Sequence, residues 1–455
     1  MNKLLIILFL LSVFLINFLP VKDTDFGWHY RCGKENCTQN HFSYFLPNYQ
    51  AANPSFLYDK ALAFTYDHFG FIGVSFTGAA IMTAAALIFS QMANFLLFYP
   101  VLFFSWSILN LGLRSQILTY LFFLLSIYII EKSRKNRRWL WLFPPLLIIW
   151  VNTHIGFFVG LILLLFFLID ESIKFIRDRK QKLSSLYTPL AVIIVSLAVT
   201  AFNPFGINVY RTIIDHATSP MSSMIAEWTK PSLLQQIIII GLTIAFLIVI
   251  ARKKILPVFE ILMLLFFALL ALIGVRNLPF FYSAFFIVIV NYLHYDRIRA
   301  NSVLLPLLIA LSFFLIIINV PGTVAFDQSW TAYCNDGLSH YPCNAVKNYP
   351  SLSGNVYAAY EWGGFLIWQK PQIKVFADGR MPAWKDEQGR SPYQDYLDII
   401  QTQPGWNGKL RKLKTDYLLI MPGTFLDLLL QKESRKYSWQ EKYRDDVAVI
   451  YKNIL

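Results

Sequence analysis

Residues 3–34 read KLLIILFLLSVFLINFLPVKDTDFGWHYRCGK. A lysine precedes an apolar run over roughly residues 4–20, and a reactive loop follows at once: Asp23-Thr24-Asp25-Phe26-Gly27-Trp28-His29-Tyr30-Arg31-Cys32-Gly33-Lys34. A lysine before an apolar core also describes a cleavable signal peptide. No small-x-small cleavage site follows Phe18-Leu19-Pro20-Val21, and many apolar runs come later, so the segment reads as a retained anchor. The loop gathers two carboxylates, an imidazole, an indole and two cations beside a membrane surface, and the rest of the chain reads as a scaffold built around it.

The 455 residues are 56% hydrophobic, with a mean hydropathy of +0.48. Repeated apolar runs of about 18 residues with few charges are the signature of membrane-crossing helices. Beyond the first span, further spans are expected near 70–89, 94–111, 113–130, 139–153, 156–173, 186–202, 233–251, 255–275, 278–294 and 303–320, eleven in all. Residues 55–68 read as a short amphipathic helix lying on the surface. The formal charge of +13 sits almost wholly at Lys3, 131–138, 170–182, Arg252-Lys253-Lys254 and 295–299. Basic residues confined to alternate loops are an orientation signal, placing those loops inside. They exclude a nucleic-acid-binding face, and no nucleic-acid partner is expected.

An odd number of spans puts residues 321–455 outside. That tail is nearly neutral, with 16 Lys and Arg against 14 Asp and Glu. Its short apolar runs, at Val356–Tyr360, Ile373–Ala377, Tyr417–Met421 and Val447–Tyr451, alternate with polar helical stretches and Gly/Pro punctuation. The expected architecture is an all-α polytopic membrane domain over 1–320, with an outer loop at 21–69, and a small α/β domain over 321–455. The four cysteines fall only in outer segments: Cys32 and Cys37, then Cys334 and Cys343. Two local disulfides fit those spacings in an oxidising compartment, and a four-thiolate zinc site is the alternative.

With that topology, the unusual polar residues collect at the outer ends of spans and in outer loops: Asp23, Asp25, Trp28 and His29; Arg114 and Gln116; Trp150, Asn152 and His154; Asn203; Glu227, Trp228 and Lys230; Arg276 and Asn277. Ionisable groups at membrane depth are costly unless paired, hydrated or functional, so their collection implies an outward-facing polar cavity. Each has a plainer reading: solvated acids ending a helix for Asp23 and Asp25, carbonyl contacts for His154, snorkelling for Arg114 and Arg276. An outer arginine among apolar residues nevertheless asks for an anion, and a guanidinium fork matches phosphate. Arg114, His154, Lys230 and Arg276 are therefore the candidate phosphate holders. Glu260, deep in a span near its inner end, is expected to pair with Lys253 or Lys254. In the tail, Tyr360, Asp378 and Arg380 lie on strand-end loops, where α/β sheets place ligands. Gly363-Gly364 carries no phosphate-loop fingerprint and reads as a turn.

Several of these stretches together resemble a family. They are Asp-x-Asp-x-x-Trp-His from residue 23, the amphipathic stretch at 55–60, Leu-Arg-Ser-Gln at 113–116 and Trp-Val-Asn-Thr-His-Ile-Gly at 150–156. Asn-Pro-Phe-Gly at 203–206, Glu-Trp at 227–228, Arg-Asn at 276–277, Tyr-Glu-Trp-Gly-Gly-Phe-Leu-Ile-Trp at 360–368 and Val-Phe-Ala-Asp-Gly-Arg at 375–380 complete the set. The chain resembles prokaryotic multispanning proteins related to the GT-C glycosyltransferases over nearly its whole length. The resemblance implies an enzyme of the plasma membrane and cell envelope that moves a sugar from a polyprenyl-phosphate carrier to a glycan, lipid or protein acceptor at the outer face.

An acid of the first outer loop then acts as base or holds a divalent metal (magnesium or manganese), which falls on Asp23 or Asp25. This chain has Asp-Thr-Asp where some relatives have an adjacent acidic pair, so the base and the metal stay open between the two residues. His29 joins the candidate catalytic set. Trp28, Asn152, Glu227, Trp228, Tyr360, Asp378 and Arg380 are the candidate substrate contacts, and the tail is expected to cap the cavity and help select the acceptor. A polyprenyl-lipid transporter or flippase is one rival, but it calls for an internal repeat and paired broken helices, and the sequence has neither. The other rival is a non-catalytic scaffold with an outer binding domain.

Overall fold

A computed structural model describes residues 3–50, 52–110, 112–177, 184–219, 224–293, 303–335 and 340–454. By their contacts the residues group into two compact units. One comprises Met1–Val21, Ile72–Ile207 and Ser223–Val324; the other comprises Lys22–Phe71, Asn208–Ser222 and Ala325–Leu455.

The first unit is helical. Helix occupies each of the eleven stretches expected to cross a membrane, but the described residues include six helices long and apolar enough to do so: Phe56–Met92, Ser115–Ser133, Ile155–Arg177, Ala226–Lys253, Val275–Tyr292 and Leu304–Gln328. Lys3–Asn17, Phe95–Phe104, Leu186–Val199 and Val258–Ile273 are shorter apolar helices. The stretch at 139–153 falls short for a local reason. Prolines at the start of the helix Phe143–Val151 lack the N–H that would join it to the tighter 3₁₀ turns of Arg137–Leu142. The long helix Phe56–Met92 breaks at Gly70 (φ 60°, ψ −160°), a conformation glycine adopts freely. That break separates the expected surface helix from the span that follows it.

Several charges inside this unit are paired. The Glu260 carboxylate accepts from Arg134 at 2.9 Å, so its partner is neither Lys253 nor Lys254; Lys253 donates instead to the Tyr292 carbonyl. Arg134 also lies 3.8 Å from Asp170, which holds Lys174 at 2.6 Å, while Arg137 pairs with Glu171. Asp170 and Glu171 are buried, and buried carboxylates persist only with such partners. The basic stretch 170–182 is described as far as Arg177, and 295–299 lies outside the described residues.

The second unit is built on a five-stranded sheet: β1 Gly354–Ala358, β2 Ile373–Val375, β3 Tyr417–Ile420, β4 Trp439–Arg444 and β5 Val449–Asn453, in the order β2-β1-β3-β5-β4. Strands β1, β2 and β3 run parallel, and β5 and β4 are antiparallel additions. β3, with all four residues buried, reads as a continuous apolar run because both faces are covered. β4 was not expected: its sequence WQEKYR buries only the tryptophan, as suits an edge strand.

The loop after the first helix extends this sheet. Ser43 bridges in parallel to Val375, whose N–H donates to the Phe42 carbonyl at 2.8 Å, and the Tyr44 hydroxyl meets Thr415 Oγ1 at 2.9 Å. Both expected disulfides, Cys32–Cys37 and Cys334–Cys343, are formed, and they consume all four cysteines. The zinc alternative falls with them.

A buried carboxylate ties the hairpin to the helix Phe425–Tyr437. Asp427 accepts from Arg444 (2.8 Å), the Tyr451 hydroxyl (2.7 Å) and the Gly423 N–H (2.9 Å). Burial pushes its carboxyl up, but the hydrogen bonds from Arg444, Gly423 and Tyr451 outweigh burial and hold it below the ordinary carboxylate range. A carboxyl depressed in the folded state stabilises above its unfolded value, about 3.9, and that contribution is lost as pH falls through the lower folded value. Thermal melts of the full chain taken toward about pH 3 should show this loss, and Asp427→Asn should flatten that part of the acid limb.

Candidate functional site

Each unit gathers its own cluster of candidate residues. In the second unit, Asp23 Oδ1 accepts the Asp25 N–H at 3.2 Å, and the Asp23 carbonyl accepts the Phe26 N–H at 3.2 Å. This short acid-led turn opens the helix Phe26–Glu35. Asp25 stands at the N-cap, yet its side chain does not cap the helix. Its carboxylate instead lies against the main chain of Gly379, where a Cβ would come within 1.8 Å of Asp25 Oδ1. The two acids of the motif thus differ: Asp23 is buried and shapes the turn, while Asp25 is half-buried and faces the tail.

His29 is buried on the same helix. Its Nδ1 lies 2.5 Å from Asp59 Oδ1, and Asn53 donates to Asp59 Oδ2 at 2.6 Å. A carboxylate at Nδ1 draws the ring proton to that nitrogen and orients the imidazole. The Trp28 ring stacks on His29 at 3.6 Å between centroids and is 9% exposed, so the flat face expected to meet substrate is covered by the histidine. Asp59 and Asn53 were not among the expected residues. The signal was an acid on the buried face of the amphipathic stretch, at a position where only a partnered carboxylate is tolerated.

Asp378 and Arg380 are brought together. Asp378, fully buried, accepts from Arg380 Nε (2.7 Å), Nη2 (2.7 Å) and backbone N–H (3.0 Å), and Arg380 also donates to Asn40 Oδ1. The Arg380 guanidinium lies over the rings of Phe42 at 5.0 Å and Trp384 at 5.2 Å. This pair fastens the strand-end loop after β2. The Tyr360 N–H donates to the Tyr396 hydroxyl, and the Tyr360 ring meets Tyr393 at 4.7 Å. Burial first, then the fields of Asp25, Tyr393 and Asp378, push the Tyr360 hydroxyl well above its usual range, so it stays a neutral donor.

The first unit holds the cationic cluster. Arg114 grips Glu227 with both arms, Nη1 to Oε2 at 2.7 Å and Nη2 to Oε1 at 3.2 Å. The anion that this arginine asked for is supplied by the chain itself. Arg276 stacks over Trp228 at 4.3 Å, and Gln116 holds the Arg276 carbonyl at 3.2 Å. His154 Nδ1 accepts the Gly156 N–H at 3.0 Å and meets Thr119 Oγ1 at 2.7 Å, while Trp150 Nε1 donates to the same hydroxyl at 2.8 Å. With Nδ1 accepting, the neutral His154 ring carries its proton on Nε2. Trp150 is fully buried and offers no free face. Asn152 spends its amide on the carbonyls of Ile148 and Phe202, which is a structural role, and Lys230 is exposed.

Among the described residues, no three His, Cys, Asp or Glu side chains come together to hold a metal ion. Asp23 and Asp25 alone do not form the oxygen cage that magnesium or manganese requires.

The chain is similar in fold to solved archaeal oligosaccharyltransferases. No family model and no curated protein matches the sequence. The structure matches the apo oligosaccharyltransferase of Archaeoglobus fulgidus with a TM-score of 0.50 and 11% identity, over 99% of this chain and 74% of that one. It matches AglB of the same organism, solved with an inhibitory peptide and a dolichol-phosphate, with a TM-score of 0.50, 12% identity and the same coverage. At such identity the likeness is one of fold alone.

The His29–Asp59 pair can be checked directly. His29→Ala strands a buried carboxylate and should destabilise the chain by about 3 kcal/mol. Removing Asp59 as well should recover part of that loss in chemical denaturation.

Proposed function

We propose that this chain is a membrane glycosyltransferase that moves a sugar from a polyprenyl-phosphate donor to an acceptor at the extracytoplasmic face. The observation that carries the reading is the likeness of fold along 99% of the chain to an oligosaccharyltransferase, a protein captured elsewhere with a dolichol-phosphate and a peptide. Two disulfides in the first loop and the tail support placing both in an oxidising compartment outside the membrane.

In the proposed step, an acceptor hydroxyl or amide attacks the anomeric carbon as the bond from that carbon to the phosphate oxygen breaks. The acceptor's proton passes to a carboxylate, and the polyprenyl phosphate leaves with the bonding electrons. Direct displacement inverts the sugar carbon. Asp25 is the base in this reading, because Asp23 is committed to the turn that starts the helix. In the first unit, Arg276, His154 and Lys230 are the groups proposed to hold a phosphate. Arg114 and Arg276 with Glu227 leave a net positive cluster, so Arg114 adds field even though its fork is occupied. His29, Trp28, Asp378 and Arg380 hold the shape of the loop and its seat, and Tyr360 offers a neutral hydroxyl beside Asp25. Asn152 buttresses the loop that carries His154.

Transfer from radiolabelled polyprenyl-phosphate sugars into membrane extract tests the assignment. Asp25→Asn should lower turnover by about 10²–10⁴, as loss of a general base does. Asp23→Asn should retain more activity. Equal transfer by both variants and the native protein would remove the base.

A further inference from the structure

Glycines line the approach of the first-loop helix to the tail, and they do so for different reasons. At Gly27 a Cβ would stand 1.9 Å from the Gly364 carbonyl oxygen, and at Gly364 it would stand 2.2 Å from that of Thr24. Those obstacles are backbone, which cannot yield, so these two glycines serve packing. Gly379 differs. The three atoms nearest to a Cβ there all belong to the Asp25 carboxyl group: Oδ1 at 1.8 Å, Cγ at 2.7 Å and Oδ2 at 3.0 Å.

Nor does the backbone demand glycine at this position. Gly379 is not among the residues of positive φ, so its main-chain conformation is open to any L-residue. The space that its missing side chain leaves is taken by a carboxylate. Around it the loop is rigid, because Asp378 and Arg380 lock each other through three hydrogen bonds. Tyr360 on the neighbouring strand-end turn lies within the field of Asp25.

We propose that Gly379 is a positioning residue for Asp25: the tail sets the orientation of the first-loop carboxylate by offering it a seat without a side chain. This rests on the reading of Asp25 as the base. A methyl at residue 379 would rotate the carboxylate away while leaving both backbones in place, because the obstacle is the movable end of a side chain. Misplacing a reacting group by about 1 Å can cost about 10²-fold in rate.

The experiment is a double-mutant cycle on the full-length protein, read by sugar transfer and by thermal melting. Gly379→Ala should lower kcat by about 10²-fold with KM little changed. Added to Asp25→Asn, it should cost nothing further, since it acts only through that side chain. Any loss of melting temperature caused by Gly379→Ala should be restored in an Asp25→Ala background, where the obstructing carboxyl is gone. Native turnover in Gly379→Ala while Asp25→Asn is inactive overturns the positioning role and leaves the base assignment standing. So does an additive loss in the double variant, or a melting defect that Asp25→Ala fails to restore. Native turnover in Asp25→Asn overturns the base assignment and the positioning role with it.

Discussion

Main chain pressed on main chain is the constraint on which the second unit depends. Thr24 and Gly27 meet Gly364 at distances that leave no volume for a methyl group. Such an approach is open only where a glycine leaves room for the opposing main chain, and it brings the start of a helix against the helix Gly363–Gln369. Around it pack the rings of Phe26, Tyr66, Phe71 and Trp368, with Phe26 edge-on to Trp368 at 5.3 Å. Aromatic burial supplies the driving force, and the glycines set the distance. The first loop thereby becomes part of the tail's architecture, and acids that follow a transmembrane-type helix in sequence end up held by a sheet domain more than three hundred residues away.

A second constraint acts in both units: no buried charge can be left alone. Asp59 takes His29 and Asn53, Asp427 takes Arg444 and Tyr451, and Asp170 takes Lys174. Removing one partner of such a pair leaves the other desolvated, and that penalty exceeds the net worth of the pair. Function has to be found among groups that this pairing does not exhaust. Arg380 is held in this way by Asp378, and the Asn152 amide is held by the carbonyls of Ile148 and Phe202.

Much of the architecture was legible in the sequence because hydropathy and period carry it. The apolar runs became helices, the alternating tail segments became β1, β2, β3 and β5, and the four cysteines paired as their spacing implied. Helix length was less legible, since Pro144-Pro145 and Gly70 shorten or bend segments whose hydropathy alone looks continuous. β4 escaped because an edge strand with one buried residue has no alternation to read. At the site, residue type was readable and pairing was not. An arginine asking for an anion does not reveal whether the anion is a ligand or Glu227, 113 residues away in sequence. Gly364, read as a turn, leaves room for the main chain of Thr24 and Gly27.

The two histidines make the same point in terms of protons. In sequence each sits beside a tryptophan or an asparagine near a span end, and nothing separates their roles. In the structure His29 turns Nδ1 to a carboxylate, whereas His154 turns Nδ1 to the Gly156 N–H and the Thr119 hydroxyl. The first arrangement places a proton on Nδ1. The second requires an unprotonated Nδ1, so the proton of the neutral ring is on Nε2. One histidine gives its Nδ1 proton to a carboxylate, and the other accepts at Nδ1 and, when neutral, donates from Nε2. A neutral donor suits an anion that must later depart, because it stabilises developing charge without holding the product as tightly as a fixed cation would.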